Sequence, residues 1–520
     1  MKSWMVYILL FFFVLSSTAQ ERILAPIGAS VKDEIILSGD HQVISNGFFP
    51  ITNAAAHRKT PQKDTSRSWI FRKLFQEHFI QQQGREYFLA VDPLIHLSVG
   101  HEQLQENDAI LFRNTRGAQA LGQLGSKFTF YTAFFENQAR FTDFRTSYFE
   151  SRGEQRFNGQ EYITSNAVIP NGGRTKPFKT NGFDYASSMS YVRFEPLESL
   201  RFHFGNDPSF IGWGHRSMLL SDNSFNFTRL QVDWELLPGL NYSWVRGKQL
   251  NLLRKRFTNM VEPPFERKGI GLHYLTYSPI PSLSIGVFES SLYLRDNSTG
   301  DQALSPYFYQ PLIGVNSAAV GPENKGLRNF MGLNIGWRFF TNHMFYAQAV
   351  SGDIEQEQYG IQFGYRGSDL FSIPHLKVQL EYNKATERLY ASGNRRLAFS
   401  HFNLPLAHTL GNGFEEFIIR AGYRWKGITL NVKHIFYEAN QMMPFKGALF
   451  SSKNDVVKNT PIAVNYTSAE LGYLMNKSTM LTVFAKGVYR QSTSTLDGDV
   501  NHGIIFFGIK SNLFNNYMDF

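Results

Sequence analysis

The chain has 520 residues, a formal net charge of +9 and no cysteine. The missing thiols exclude disulfides, thiolate metal sites, cysteine nucleophiles and a lipid anchor on cysteine. Beyond the leader no stretch approaches the eighteen or so continuous apolar residues of a membrane helix, yet 48 Phe, 24 Tyr and 7 Trp bring the aromatic share to 15%.

The first residues have the form of a secretory signal. Lys2 supplies the positive end, Trp4–Leu15 the apolar core and Ser17-Thr18-Ala19 a small-residue cleavage site, so residues 1–19 are expected to be removed after Ala19. Export makes nucleic acid an improbable partner for the positive charge. Phosphates of lipopolysaccharide or acidic surface glycans suit it better, as does a wet interior whose charges satisfy one another.

Residues 20–85 form an N-terminal segment expected on the periplasmic side. Asp64-Thr65-Ser66 could cap a helix over about Ser66–Gln83, ended by Gly84. Trp69, Ile70, Phe71, Leu74, Phe75, Phe79 and Ile80 give it a broad apolar stripe. That stripe needs a partner surface, either the end of a barrel or a second protein.

From residue 86 to 520 the pattern changes to period two. Met331, Leu333, Ile335, Trp337 and Phe339 alternate with Gly332, Asn334, Gly336 and Arg338. Phe417, Ile419, Ala421, Tyr423 and Trp425 alternate with Ile418, Arg420, Gly422 and Arg424. Successive strand residues face opposite ways, so one face is apolar and the other polar or very small. About eighteen such segments can be counted, with sixteen as the alternative. Those near Ala139–Tyr148 and Leu283–Leu294 are less regular. The expected fold is an all-β, closed antiparallel transmembrane barrel in the cell outer membrane, with lipid on the apolar face and aromatic girdles accounting for the ring surplus. A soluble sandwich or propeller would share the alternation but not the aromatic load.

Short connections, such as Leu237-Pro238-Gly239, Thr341-Asn342 and Lys426-Gly427, alternate with long ones, such as Ser151–Gly182, Arg295–Leu327 and Asn440–Pro461. Short turns belong to the periplasmic end and long loops to the outside, which places both chain ends in the periplasm. Phe520 is expected to close an amphipathic last strand, the kind of ending read by the barrel-assembly machinery.

The densest candidate site is Gly205–Phe225. Gly212 and Gly214 permit close approach. Trp213, His215, Arg216, Asp222 and Asn223 supply a stacking surface, a titratable ring, a forked cation and hydrogen-bonding groups. The segment can be a loop plugging the barrel or a glycan contact. His215, Ser217 and Asp222 are also the residue types of a lipid hydrolase, but types alone do not make a triad and no G-x-S-x-G elbow is present. Arg338, Arg366, Arg420, Arg424 and Lys433 are assigned to the lumen-facing side, together with Arg229, Asp233, Glu235, Lys377, Glu381, Glu470, Lys486 and Arg490. This basic excess would suit a channel for anionic or sugar solutes. No metal or cofactor motif stands out.

Five runs resemble the Wzi-type capsule-assembly family and the RemB-like gliding-motility proteins: RNTRG at Arg113–Gly117, KFTFYTAFFENQARF at Lys127–Phe141, NGFDYA at Asn181–Ala186, the ending FGIKSNLFNNYMDF at Phe507–Phe520 and GWGHRSMLLSDN at Gly212–Asn223. The last is similar to a G-x-G-x-R-S-L-x-L-S-D-N signature with Met218 replacing Leu. The resemblance implies an eighteen-stranded, non-enzymatic barrel with a helical element on the periplasmic side. Its implied partners are outer-membrane lipid and surface polysaccharide, and its implied role is capsule retention or support of gliding.

Overall fold

The computed structural model describes residues 47–49, 66–103, 110–179, 181–256, 260, 262–296, 303–442, 459–495, 498–511 and 516–520. The leader with its cleavage site, and most of Asn440–Pro461, lie outside them. The wall strands are β1 (Tyr87–Glu102), β2 (Leu111–Leu124), β3 (Phe128–Arg140), β4 (Gly182–Leu197), β5 (Leu200–Asp207), β6 (Phe227–Leu237), β7 (Leu240–Arg254), β8 (Phe265–Ile280) and β9 (Leu283–Leu294). They continue as β10 (Leu327–Phe340), β11 (His343–Asp353), β12 (Gln358–Ser368), β13 (Leu376–Ala385), β14 (Phe414–Trp425), β15 (Ile428–Met442), β16 (Asn459–Asn476), β17 (Leu481–Ser494) and β18 (Gly498–Lys510). Each pairs antiparallel with the next, and β18 pairs back onto β1 through Ile504↔Glu102 to Lys510↔His96. The result is a closed eighteen-stranded barrel with every wall edge paired, as a lipid environment demands.

The two faces of β10 show why the alternation is there. Leu333, Ile335 and Trp337 are exposed on the outside. Inside, Asn334 is buried and donates to Tyr274 Oη at 2.7 Å. Trp337, Phe339 and Phe345 cluster at the Thr341-Asn342 turn, with the Phe339 and Phe345 rings stacked at 4.8 Å. Trp234, Trp425 and Tyr473 are exposed near other short turns. The exterior is therefore an apolar belt with an aromatic girdle, the surface of an outer-membrane barrel. Leu333→Arg and Leu380→Arg should each destabilise the barrel by about 2–4 kcal/mol, read as a lowered urea midpoint in lipid vesicles. Unchanged midpoints in both would overturn the facing of these strands.

The N-terminal helix is shorter than its apolar stripe suggests. It covers Trp69–Phe75 (α1), with the Ser68 hydroxyl accepting from Phe71 N. It stops because Asp92, on the inner face of β1, binds His78 Nδ1 at 2.6 Å and Phe79 N at 2.9 Å. The chain then continues as the strand Ile80–Gln83, paired with Phe88–Val91 of β1. Tertiary pairing overrides helix propensity here. The helix docks on the β16–β17 turn, where Asn476 Nδ2 donates to Lys73 O and Glu77 O. Upstream, Phe48–Phe49 is not a periplasmic element at all. It is buried and pairs with Phe210–Ile211 in the barrel interior.

Two further expectations are corrected. Ala139–Tyr148 is not one strand: β3 ends at Arg140, and Asp143–Ser151 is a helix (α2) that buries Arg145 and Phe149 inside the mouth. The four-residue spacing of Phe144 and Tyr148, and of Arg145 and Phe149, is helical. Phe520 does not end the last strand. β18 stops at Lys510, and residues 516–520 lie in the lumen, with the Phe520 ring stacked on Tyr148 at 3.9 Å and its main-chain oxygen accepting from Arg490 Nε at 3.1 Å.

β9 is regular in the structure, and its sequence irregularity has a cause. Glu289, Ser291 and Tyr293 face outward, opposite His273, Gly271 and Gly269 of β8, yet they are buried. The β9–β10 connection folds down over the outer wall and covers them. Its helix Val315–Val320 (α3) aims Gly314 N, Ser317 N and Ser317 Oγ at the Glu289 carboxylate at 2.7, 2.9 and 2.7 Å. Arg246, also on the outer face, donates to Phe308 O and Gln310 O and contacts His273 Nε2. Tyr309 and Leu312 of the same segment are exposed on its outer surface. A polar patch on the lipid side is thus roofed by a segment that shows apolar groups to the lipid.

Candidate functional site

The candidate site is the filled lumen. Between β5 and β6 the chain turns inward, and Ile211 and Leu220 bridge each other to close a compact loop. Wall glycines make the space for it. A Cβ at Gly336 would lie 2.9 Å from the Trp213 ring, and one at Gly332 would lie 2.5 Å from Leu219 Cδ2. Gly212 has φ +114°, and a Cβ there would strike the Gln348 amide at 2.1 Å. Trp213, Met218, Leu219 and Leu220 are fully or almost fully buried. Met218, Leu219 and Leu220 pack with Leu389, Leu397 and Leu406 of the folded-in β13–β14 connection, and Trp213 packs with Phe49 of the N-terminal strand.

Polar contacts fasten this plug to three other parts of the chain. Arg216 Nη2 lies 3.2 Å from Glu416 Oε1 on β14 and 3.0 Å from Asp519 Oδ1 of the C-terminal tail. Glu416 is also bound by His408 Nε2 at 2.7 Å and Asn383 Nδ2 at 3.0 Å. Asp519 is further held by Lys433 of β15. The carboxylate of Glu381 accepts His215 N at 2.6 Å and Arg216 N at 3.0 Å. Tyr517 donates to Asp222 Oδ1 at 2.7 Å, and its ring carries the Arg216 guanidinium at 5.2 Å. Charges this deep are tolerated because each has partners.

Two of these groups lie on the plug and the tail, outside the membrane-spanning strands, and their ionisation is shifted. Burial, then the charge of Arg420, pushes the His215 ring well below its usual pKa despite its hydrogen bond to Asp519. Burial alone would raise the Asp519 carboxyl, but Arg216 and Lys433 outweigh it and hold it well below the ordinary carboxylate range. At neutral pH His215 is therefore neutral and Asp519 ionised.

The structure thus gathers the sequence-derived candidates in one place and buries them. Trp213, Arg216, Asp222 and Asn223 are interior, and His215 keeps only a small exposed fraction. Ser217 Oγ donates to Ile211 O at 2.6 Å, while His215 Nε2 points to Asp519 and Asp222 receives Tyr517. Among the described residues no hydrogen bond joins Ser217 to His215, so the three do not form a relay. Arg338 and Arg366 are buried, Arg420 donates to Gln379 Oε1 at 2.7 Å, and Arg424 is exposed near the Lys426-Gly427 turn. Sequence reasoning missed the tail residues Tyr517 and Asp519 and the outer-wall group Arg246, His273 and Glu289. The second group carried a signal: charges in phase with the apolar side of their strands.

Neither a family model nor a curated protein matches the sequence. Among solved structures, the chain is similar to the Escherichia coli outer-membrane protein Wzi, described as a carbohydrate-binding β-barrel involved in group 1 capsule assembly. The identity is 12%, the match covers 81% of this chain and 85% of that one, and the TM-score is 0.48. It is also similar to Pseudomonas aeruginosa OprD, at 10% identity, 82% and 96% coverage and a TM-score of 0.41. At such distances the functional reading rests on this chain's own residues.

Proposed function

We propose that this outer-membrane barrel is a non-enzymatic, non-conducting surface protein that assembles or retains capsule or other exopolysaccharide at the cell surface. Support of gliding is the second form of that role and draws on the sequence resemblance alone. The observation that carries the reading is the filled lumen: plug, N-terminal strand and C-terminal tail meet around Trp213 and Arg216. A barrel built for solute flow has no use for so many interlocking fillers. The competing reading is a channel for anionic or sugar solutes, favoured by the basic inner wall at Arg338, Arg366 and Arg420.

The test is a clean deletion strain, scored for cell-bound surface polysaccharide and for spreading on a soft surface, beside the purified protein in planar bilayers. Polysaccharide shed into the medium, with no single-channel steps from the pure protein, is the expected result. Lost spreading with polysaccharide retained would move the role to gliding. Steady conductance with neither phenotype would replace the proposal with the channel.

A further inference from the structure

The filled lumen directs attention to the outer mouth, where one group of side chains has no part in the plug. The hairpin Glu154–Phe157 and Tyr162–Ser165 rises beside the end of β7, with Gln155 paired parallel to Leu253. Its turn is fixed by Asn158, whose side chain accepts from Gln160 N and Glu161 N at 2.9 and 2.8 Å. That placement brings Arg256, just past β7, over the Phe157 ring at 4.1 Å and hydrogen-bonds its Nη2 to Tyr162 Oη at 2.8 Å. Arg395, from the β13–β14 connection, lies over the same Tyr162 ring at 4.5 Å. It stands in a short turn capped by the Asn394 side chain.

Two guanidinium groups are therefore held against one aromatic ring at the surface. Two cations that share the Tyr162 ring, at 5.5 and 4.5 Å from its centroid, oppose each other, and the buried carboxylates nearby are already engaged. Glu154 is bound by Arg174 and Arg254, and Glu266 by Arg396. Glu266 also lies close enough to feel Arg395, and Glu161 sits in the hairpin turn. Stacking on a ring fixes the guanidinium plane while leaving edge N–H groups for a ligand. A fork so presented matches the paired oxygens of a carboxylate or phosphate.

We propose that Arg256 and Arg395, set by Phe157 and Tyr162, form an anion clamp at the outer mouth for the carboxylate or phosphate of an acidic saccharide. This rests on the glycan-holding role above and names its ligand class. The ligand oxygens would take the guanidinium edges and relieve the repulsion between the two arginines.

The experiment is titration calorimetry on the full chain in detergent, comparing wild type, Arg256→Ala/Arg395→Ala and Arg256→Lys/Arg395→Lys. The probes are oligogalacturonate, phosphorylated lipopolysaccharide core oligosaccharide and neutral dextran. Heat-modifiable gel mobility verifies that each variant is folded. The expected result is binding of at least one anionic probe by wild type, weakened tenfold or more in the alanine variant. Lysine should restore part of that loss, since it keeps the charge but not the fork. Whichever anionic probe binds identifies the source, polymer carboxylate or lipopolysaccharide phosphate. Equal binding by wild type and alanine variant overturns the clamp while leaving glycan retention intact. Binding of dextran alone also overturns the clamp and leaves retention standing. No binding of any probe by wild type, with polysaccharide retention unaffected in the deletion strain, overturns both.

Discussion

Arg216→Ala is expected to make the filled barrel leakier than the wild type. The substitution removes the cation that stands between Glu416 and Asp519, both almost fully buried. His408 and Lys433 still bind the two carboxylates, but the cation that both share is gone. Breaking a buried ion pair from one side costs about 3–5 kcal/mol, because an uncompensated charge is left behind. The wall has its own ladder and loses none of it, so the cost falls on the plug and the tail. The variant should still migrate as a folded barrel and should show larger or more frequent single-channel steps than the wild type. Replacing the whole ion group, as Arg216→Met and Lys433→Met with Glu416→Gln and Asp519→Asn, should recover most of the tightness, since an uncharged substitute for a buried ion group is often near neutral. Wild-type conductance and an unchanged melting temperature for Arg216→Ala would sink the idea that this hub holds the plug.

The second large effect is expected on the other side of the wall. Replacing residues 304–320 with a short Gly-Ser linker uncovers Arg246, His273 and Glu289, which face outward on β7, β8 and β9. An arginine on the lipid face of a barrel costs about 2–4 kcal/mol at mid-membrane, and an acid somewhat less. Glu289 also loses its three donors from α3, so the total loss should exceed that of Leu333→Arg. The readout is the urea midpoint in lipid vesicles. Adding Arg246→Leu and Glu289→Leu to the deletion should return much of the stability. A deletion that unfolds at the wild-type urea concentration would show that the segment is an ornament and not a roof.

These two regions also mark where the sequence was legible. Strand number, with sixteen as the alternative to eighteen, and short turns at one end followed from period two and from turn residues, because a half-buried strand has one dominant constraint; the β5–β6 loop could be read as a plug or as a glycan contact. The glycines of β10 belong to that signal: Gly332 and Gly336 record the bulk of Leu219 and Trp213 opposite them. Where a second constraint enters, the pattern fails. Leu283–Leu294 looks irregular because half of its lipid side is roofed by a loop. Ser66–Gln83 looks like one helix because propensity cannot foresee Asp92 taking hold of His78 and Phe79. The C-terminal residues carry no sign of their inward path, since Tyr517 and Asp519 find partners about 300 and 90 residues away in the chain. In the site, residue types were recoverable and their burial was not.

The pairing of Ile80–Gln83 with β1 has a mechanical consequence. β18 covers the edge of β1 only from His96 to Glu102, and the segment after α1 covers Phe88–Val91 of that same edge. The wall is therefore closed by two different stretches of chain, laid end to end. A pull applied to α1 from below would not tug on a dangling tether. It would load the seam directly, through a ladder only four residue pairs long, with the Asp92 clasp beside it. Any protein that gripped the helix would have its hand on the zipper of the barrel.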